Sequence, residues 1–274
     1  MNPIERFIDV GVKLHIREWP GDADKTPFLL VHGLSSNALT WNQVGEKLAE
    51  AGHPVVAVDQ RGHGLSEKPD SGYDFATVTA DLRDLIAALR WEKPVMVGQS
   101  WGGNVMLEFG ARYPGVAQRF VFVDGGFLNL RQRGSWESIA VDLKPPDLNG
   151  TPRAQMKAWI RQSHPDWGET GWEATLGNFE TMPDGTVRPW LTLARHLEIL
   201  RAMYDQNPVA LYPQVAEPVL ICVADDGTAW TERKKEQLQL AEKGLRQVSV
   251  VWFIGAAHDI HVDQPAALVQ NLLG

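Results

Sequence analysis

A single cysteine, Cys222, stands among 274 residues, so no disulfide can form within the chain. It lies in the apolar run Val219-Leu220-Ile221-Cys222-Val223, where a buried small hydrophobe is expected rather than a reactive thiol. No apolar run approaches the length of a membrane span. The N-terminal stretch MNPIERFIDVGVKLHI lacks the uninterrupted apolar segment of a secretion signal, so a cytoplasmic location is expected. Positive charge is in the minority: 26 Lys and Arg against 34 Asp and Glu, a formal net charge of −8. That balance argues against nucleic acid or an anionic membrane as partner and leaves a small molecule. Metal and nucleotide motifs are missing too. There is no HExxH, no GxGxxG after a strand and no Gly-rich phosphate loop, so no cofactor is expected. His258 and His261, three apart, could supply two metal ligands; that is the lesser reading of the pair. Oligomeric state is not written in the sequence.

What is present is an alternation. Arg6–Val10 and Val12–Arg17 read as an antiparallel hairpin through Gly11. The apolar runs 26–31, 54–58, 94–97 and 120–123 then alternate with helical spacing at 42–51, 75–89 and 102–112. In 75–89, Val78, Leu82, Leu85, Ile86 and Leu89 share one face. Fully apolar strands separated by helices predict an α/β fold with a mainly parallel, doubly wound sheet covered on both faces. Strand signal stops after Asp124-Gly125-Gly126 and resumes at 218–223, with a helix over 231–243, a strand at 248–253 and a closing helix at 264–273. Residues 1–126 and 213–274 are therefore expected to form the core. Residues 127–212 are expected to form an inserted helical cap, with helices near 152–162, 171–179 and 191–204. Trp136, Trp159, Trp167, Trp172 and Trp190 fall within it, some expected to line a binding cavity and most to pack the cap onto the core.

Gly98-Gln99-Ser100-Trp101-Gly102 fits Gly-x-Ser-x-Gly between a short buried strand and a helix with small residues in its first turn. The flanking glycines leave room where a Cβ would strike the neighbouring strand or helix. Ser100 is then presented near the positive end of a helix dipole, where a nucleophile belongs. Serine needs a base, and the base an orienting acid. His258, on the small-residue loop Gly255-Ala256-Ala257 after the last strand, is the expected base; His261 is the rival. Loops after the carboxyl ends of parallel strands converge on one crevice, and two of them offer the acid. Asp225 and Asp226 follow the penultimate strand, Asp226 being favoured, and Asp124 follows the strand after the serine's helix. For the oxyanion, backbone N–H groups of Trp101 and Leu34 are expected. His32, Gly33 and Trp101 are expected beside the substrate, with His32 holding its loop by hydrogen bonds and Trp101 narrowing the pocket mouth.

Three motifs in this order, His32-Gly33-Leu34, Asp59-x-Arg61-Gly62-x-Gly64-x-Ser66 and Gly98-x-Ser100-x-Gly102, resemble the α/β-hydrolase fold family. The likeness spans nearly the whole chain. It implies a Ser-His-Asp triad beneath a helical lid, in esterases and related hydrolases without cofactor, and a supporting role for Arg61 and His63. Ser100 argues against haloalkane dehalogenases and epoxide hydrolases, which place aspartate there. One departure stands out. After the penultimate strand the family pattern is Gly-x-x-Asp, whereas this chain has Val223-Ala224-Asp225-Asp226, which keeps Asp124 in play. The expected activity is a serine carboxylesterase working through an acyl-enzyme on an ester with an apolar portion. A lactonase, carbon–carbon bond hydrolase or perhydrolase on the same triad, and a ligand receptor with vestigial hydrolysis, are the alternatives.

Overall fold

The structure, a computed structural model, describes residues 2–274. Strands β1 (Ile4–Asp9) and β2 (Lys13–Trp19) form the leading hairpin. There follow β3 (Phe28–Val31), α1 (Asn42–Glu50), β4 (Val55–Val58), α2 (Phe75–Leu89), β5 (Val95–Gln99), α3 (Trp101–Arg112) and β6 (Arg119–Val123). Between β6 and the next core strand lie α4 (Trp136–Asp142), β7 (Thr151–Pro152), α5 (Arg153–Ser163), α6 (Glu169–Leu176), β8 (Phe179–Thr181), β9 (Thr186–Pro189), α7 (Leu193–Asp205) and α8 (Pro208–Leu211). The chain closes with β10 (Val219–Asp225), α9 (Ala229–Gly244), β11 (Val248–Ile254), α10 (Ile260–Asp263) and α11 (Pro265–Leu273).

Eight strands make one sheet in the order β1-β2-β4-β3-β5-β6-β10-β11. β1, β2 and β4 pair antiparallel, and every other neighbour is parallel. This is the mainly parallel, doubly wound sheet that the alternation predicts. Successive residues of its central strands enter opposite layers, as the two-residue period of a strand requires. In β10, Val219, Ile221 and Val223 join one apolar cluster while Leu220, Cys222 and Ala224 join the other. Burying each Val, Leu or Ile contributes roughly 1.5–3 kcal/mol, so a one-residue slip of a central strand would be costly. Chain direction across the sheet reverses at β3, which pairs with β4 on one side and β5 on the other. Such a switch point opens a crevice at the carboxyl ends of the strands.

The segment between β6 and β10 departs from expectation. It is not wholly helical: β7, β9 and β8 form a three-stranded antiparallel sheet. These strands are two to four residues long and read TP, FET and TVRP, too short and polar for a period-two apolar signal. Phe179, expected to end a helix, begins β8, and α4 was not anticipated. Leu130, Ile139, Leu191, Ile199, Leu200 and Met203 of this segment belong to the same apolar cluster as one face of the large sheet. Met156, Ile160, Leu176 and Val187 form a small cluster of their own. Among the described residues no helix is long and apolar enough to cross a membrane.

Candidate active site

Ser100 sits between β5 and α3 with φ 53° and ψ −119°, a backbone region that costs a non-glycine residue about 1–3 kcal/mol. The surroundings hold it there. Its N–H donates to the Val123 carbonyl at 2.9 Å, and its own carbonyl accepts from Gly103 N at 2.9 Å and Asn104 N at 3.3 Å. The flanking glycines act through space, since neither has a left-handed φ. A Cβ on Gly98 would strike the Gly102 carbonyl, and one on Gly102 would press on the carbonyls of Val31 and His32.

His258 follows β11, and its Nδ1 lies 2.6 Å from Asp124 Oδ2. Asp124, at the end of β6, has φ 45° and is 1% exposed. Its Oδ1 accepts from Ala224 N at 3.1 Å. A third donor, which no sequence motif pointed to, is Lys234 on α9. Its Nζ, with 3% of the side chain exposed, donates to Asp124 Oδ2 at 2.8 Å and to the Ala224 carbonyl at 3.0 Å. Burial is the largest single influence on His258 and opposes its charge, although 48% of the side chain is open to solvent. The hydrogen bond and negative charge of Asp124 outweigh that effect and move the pKa upward, with Lys234 pulling it back. The loop is also braced by Gln99, whose Nε2 donates to the His258 carbonyl at 3.3 Å and to Asp259 Oδ1 at 3.1 Å.

The favoured acid of the sequence reading is elsewhere. Asp226 is exposed, and its Oδ1 accepts from Thr228 N, Thr228 Oγ1 and Thr231 Oγ1, closing the turn into α9. Asp225 Oδ1 accepts from Gly227 N and Thr231 Oγ1. Asp124 meets His258; Asp225 and Asp226 do not. The rival base, His261, is fully buried against the Trp41 ring, neither nitrogen is hydrogen-bonded to a described residue, and burial drives its pKa down to about 4.

Two neutral histidines hold the loop after β3. Gln60 N donates to His32 Nε2 at 3.0 Å, so Nδ1 carries the proton and donates to the Gly33 carbonyl at 2.7 Å. Ser35 N donates to His63 Nε2 at 3.2 Å, and His63 Nδ1 donates to the Arg61 carbonyl at 3.0 Å. Burial lowers the pKa of both rings. Arg61 reaches Asp81 with two hydrogen bonds of 2.5 and 2.6 Å, pinning the turn between β4 and α2. The N–H groups of Leu34 and Trp101 make no hydrogen bond to any described residue, which leaves both free to serve an external acceptor. Two expectations need correction. The Trp101 side chain is 1% exposed and stacks on His63 with centroids 5.4 Å apart, so it does not narrow the mouth. His32 and Gly33 are buried and outside the cavity lining, so their part is to shape the loop rather than touch substrate.

Ser100, Asp124 and His258 line a cavity of about 510 Å³. Its walls are mostly apolar, with Leu34, Leu128, Leu130, Leu143, Leu200 and Met203. A larger cavity of about 720 Å³ shares Ser35 and Pro145 with it but contains neither Ser100 nor His258; the chemistry favours the smaller. Of the five tryptophans singled out, Trp190 lines the larger cavity. Trp136 packs on the core cluster, Trp167 stacks on His164, Trp172 packs on the small cluster, and Trp159 is exposed. Trp230 of α9, outside the segment, lines the Ser100 cavity.

The described alpha/beta hydrolase family model matches residues 28–271. The 2-(acetamidomethylene)succinate hydrolase of Mesorhizobium japonicum is 26% identical over 219 residues, 80% of this chain and 76% of that protein. An uncharacterized protein of Mycobacterium tuberculosis is 40% identical over 98 residues, 36% of this chain, and the match spans 28% of that relative's length. The crystal structure of E-2-(acetamidomethylene)succinate hydrolase superposes with a TM-score of 0.81 at 24% identity, covering 98% of this chain and 97% of its own. A match over most of the chain, with Ser100 at the strand-to-helix turn, places the protein plainly: it belongs to the alpha/beta hydrolase family.

Proposed function

We propose that the protein is a serine hydrolase that cleaves carboxylic esters through an acyl-enzyme. The observation that carries this reading is the His258–Asp124 hydrogen bond of 2.6 Å in the cavity that Ser100 also lines. With Nδ1 donating to Asp124, His258 Nε2 is the nitrogen left to accept the Ser100 proton as Oγ attacks the ester carbonyl. The Asp124 charge stabilises the imidazolium that results. The N–H groups of Leu34 and Trp101, backed by the amino end of α3, receive the oxyanion. The alcohol leaves with the proton from His258. Water then attacks the acyl-enzyme with His258 again as base, releasing the acid and restoring Ser100. Residues 127–212 act as a cap over this site, and Leu143, Leu200 and Met203 from that segment give the cavity its apolar wall.

The test is hydrolysis of p-nitrophenyl acetate, butyrate and octanoate by the wild type and by Ser100→Ala. Turnover by the wild type and loss of at least about 10³-fold in the variant are expected. Full activity in Ser100→Ala would end the proposal.

A further inference from the structure

Asn129, Arg133 and Gln237 give the Ser100 cavity polar lining, with Trp230 beside them. Gln237 Nε2 donates to the Asn129 carbonyl at 3.3 Å and to Gln132 Oε1 at 3.4 Å. The Arg133 guanidinium lies over the Trp230 ring at 4.8 Å. Among the described residues, Arg133 is the one Lys or Arg lining this cavity. Its guanidinium makes no hydrogen bond or ion pair with a described residue, unlike those of Arg61, Arg153, Arg188 and Arg195. Arg133 is an exposed residue at this part of the cavity; partial desolvation, and then the charge of Arg233, push its pKa down, opposed through space by Asp142. A fork of donors steadied on an aromatic face and lacking an anion is a receptor for a planar carboxylate.

We propose that this cavity accepts an ester whose acyl chain ends in a carboxylate, and that Arg133 binds that carboxylate. The proposal rests on the acyl-transfer reading above. The acyl group stays on Ser100 after the alcohol leaves, so a cation lining the same cavity holds it through both half-reactions.

Two measurements separate the proposals. The first compares kcat/KM for p-nitrophenyl esters of succinate, glutarate and adipate, each with one carboxylate free, against neutral esters of equal length. At least one acid ester should be preferred by the wild type. Arg133→Gln should cut its kcat/KM about 10- to 100-fold, mainly through KM, and leave the neutral esters within about twofold. Arg133→Lys should recover part of the loss. The second measurement is the shift in Tm produced by glutarate or adipate with Ser100→Ala, and with Ser100→Ala carrying Arg133→Gln. A shift that disappears in the double variant supports the carboxylate site even if no ester is turned over, in which case the esterase reading alone fails. Equal losses on acid and neutral esters, or equal shifts in the two proteins, overturn the carboxylate site.

Discussion

Asp124 and Asp226 lie at the ends of neighbouring parallel strands, β6 and β10, and differ in everything that decides a carboxylate's role. Asp124 is buried, takes a left-handed backbone, and uses both oxygens on Ala224 N, His258 and Lys234. Asp226 faces solvent and spends its side chain on local turn donors at the start of α9. Thr228, first by its hydroxyl, holds the Asp226 pKa below the ordinary value. Position at a strand end therefore does not make a carboxylate catalytic. A buried charge needs partners to hold it, and only at Asp124 is one of those partners the histidine.

The largest effect should come from removing that charge. Asp124→Asn should lower kcat/KM about 10³- to 10⁴-fold, because an amide cannot fix the His258 tautomer or stabilise its cation. Asp226→Asn should stay within about twofold. Steady-state kinetics on one ester checks both. Comparable losses in the two variants would break the comparison, and the reverse ranking would return the acid to β10.

Lys234 gives the next largest effect, through a different readout. It neutralises part of the Asp124 charge and opposes protonation of His258. Lys234→Met removes that opposition, so the His258 pKa rises and the acid limb of the kcat/KM profile moves to higher pH. We expect about a 10-fold loss at pH 7 with much of it recovered toward pH 9. A loss equal at every pH would make Lys234 a packing residue only. The variant should also cost about 3 kcal/mol of stability by leaving a buried carboxylate short of a donor. Adding Asp124→Asn should cost less than the sum of the two single changes, because both charges then leave together.

The wild-type profile carries a smaller signal of the same origin. As the proposed base His258 acts only when neutral, and Asp124 raises its pKa. The acid limb should therefore lie above the value of about 6.5 for an unperturbed histidine, and activity should fall as pH drops through it. In Asp124→Asn, residual activity should show the limb displaced to lower pH, since the stabilising anion is gone. A limb at or below the unperturbed value in the wild type would remove Asp124 from contact with the working His258.

How much of this was legible follows from what local sequence can encode. Ser100 was readable because the turn needs small neighbours at Gly98 and Gly102, a demand met within five residues. His258 was readable because one short loop links the last strand to the last helices. The sheet was readable because its central strands are apolar on both faces. The acid was not, since Asp124 and Asp226 end adjacent strands and each sits beside small or turn-forming residues. What separates them is Lys234, 110 positions from Asp124 in the chain, in the charged run Glu232-Arg233-Lys234-Lys235-Glu236, where nothing marks one lysine as buried. The missing glycine in Val223-Ala224-Asp225-Asp226 was the one local hint, and it pointed away from β10. Trp101 failed for a related reason: its place beside Ser100 is local, but its ring stacks on His63, which arrives from another loop.

The smallest effect separates local from long-range roles most cleanly. Asp226 Oδ1 accepts from Thr228 N at 3.0 Å and Thr228 Oγ1 at 2.7 Å, and Thr228 Oγ1 in turn accepts from Trp230 N at 3.2 Å at the start of α9. Asp226→Ala should therefore lower stability by about 0.5–1 kcal/mol, the usual scale for losing a turn or capping acceptor. Because the folded pKa is depressed, this stability is present above the unfolded value of about 3.9 and fades as pH falls through the folded one. Urea denaturation of wild type and variant at pH 7 and at pH 3 should show the difference shrinking at the lower pH. Ester turnover at pH 7 should be unaltered, since α9 keeps Lys234 seated on Asp124 through burial of its own stem. A cost above about 3 kcal/mol, or a loss of activity alongside it, would mean that the turn holds Lys234 in place, and the two aspartates would then be parts of one device.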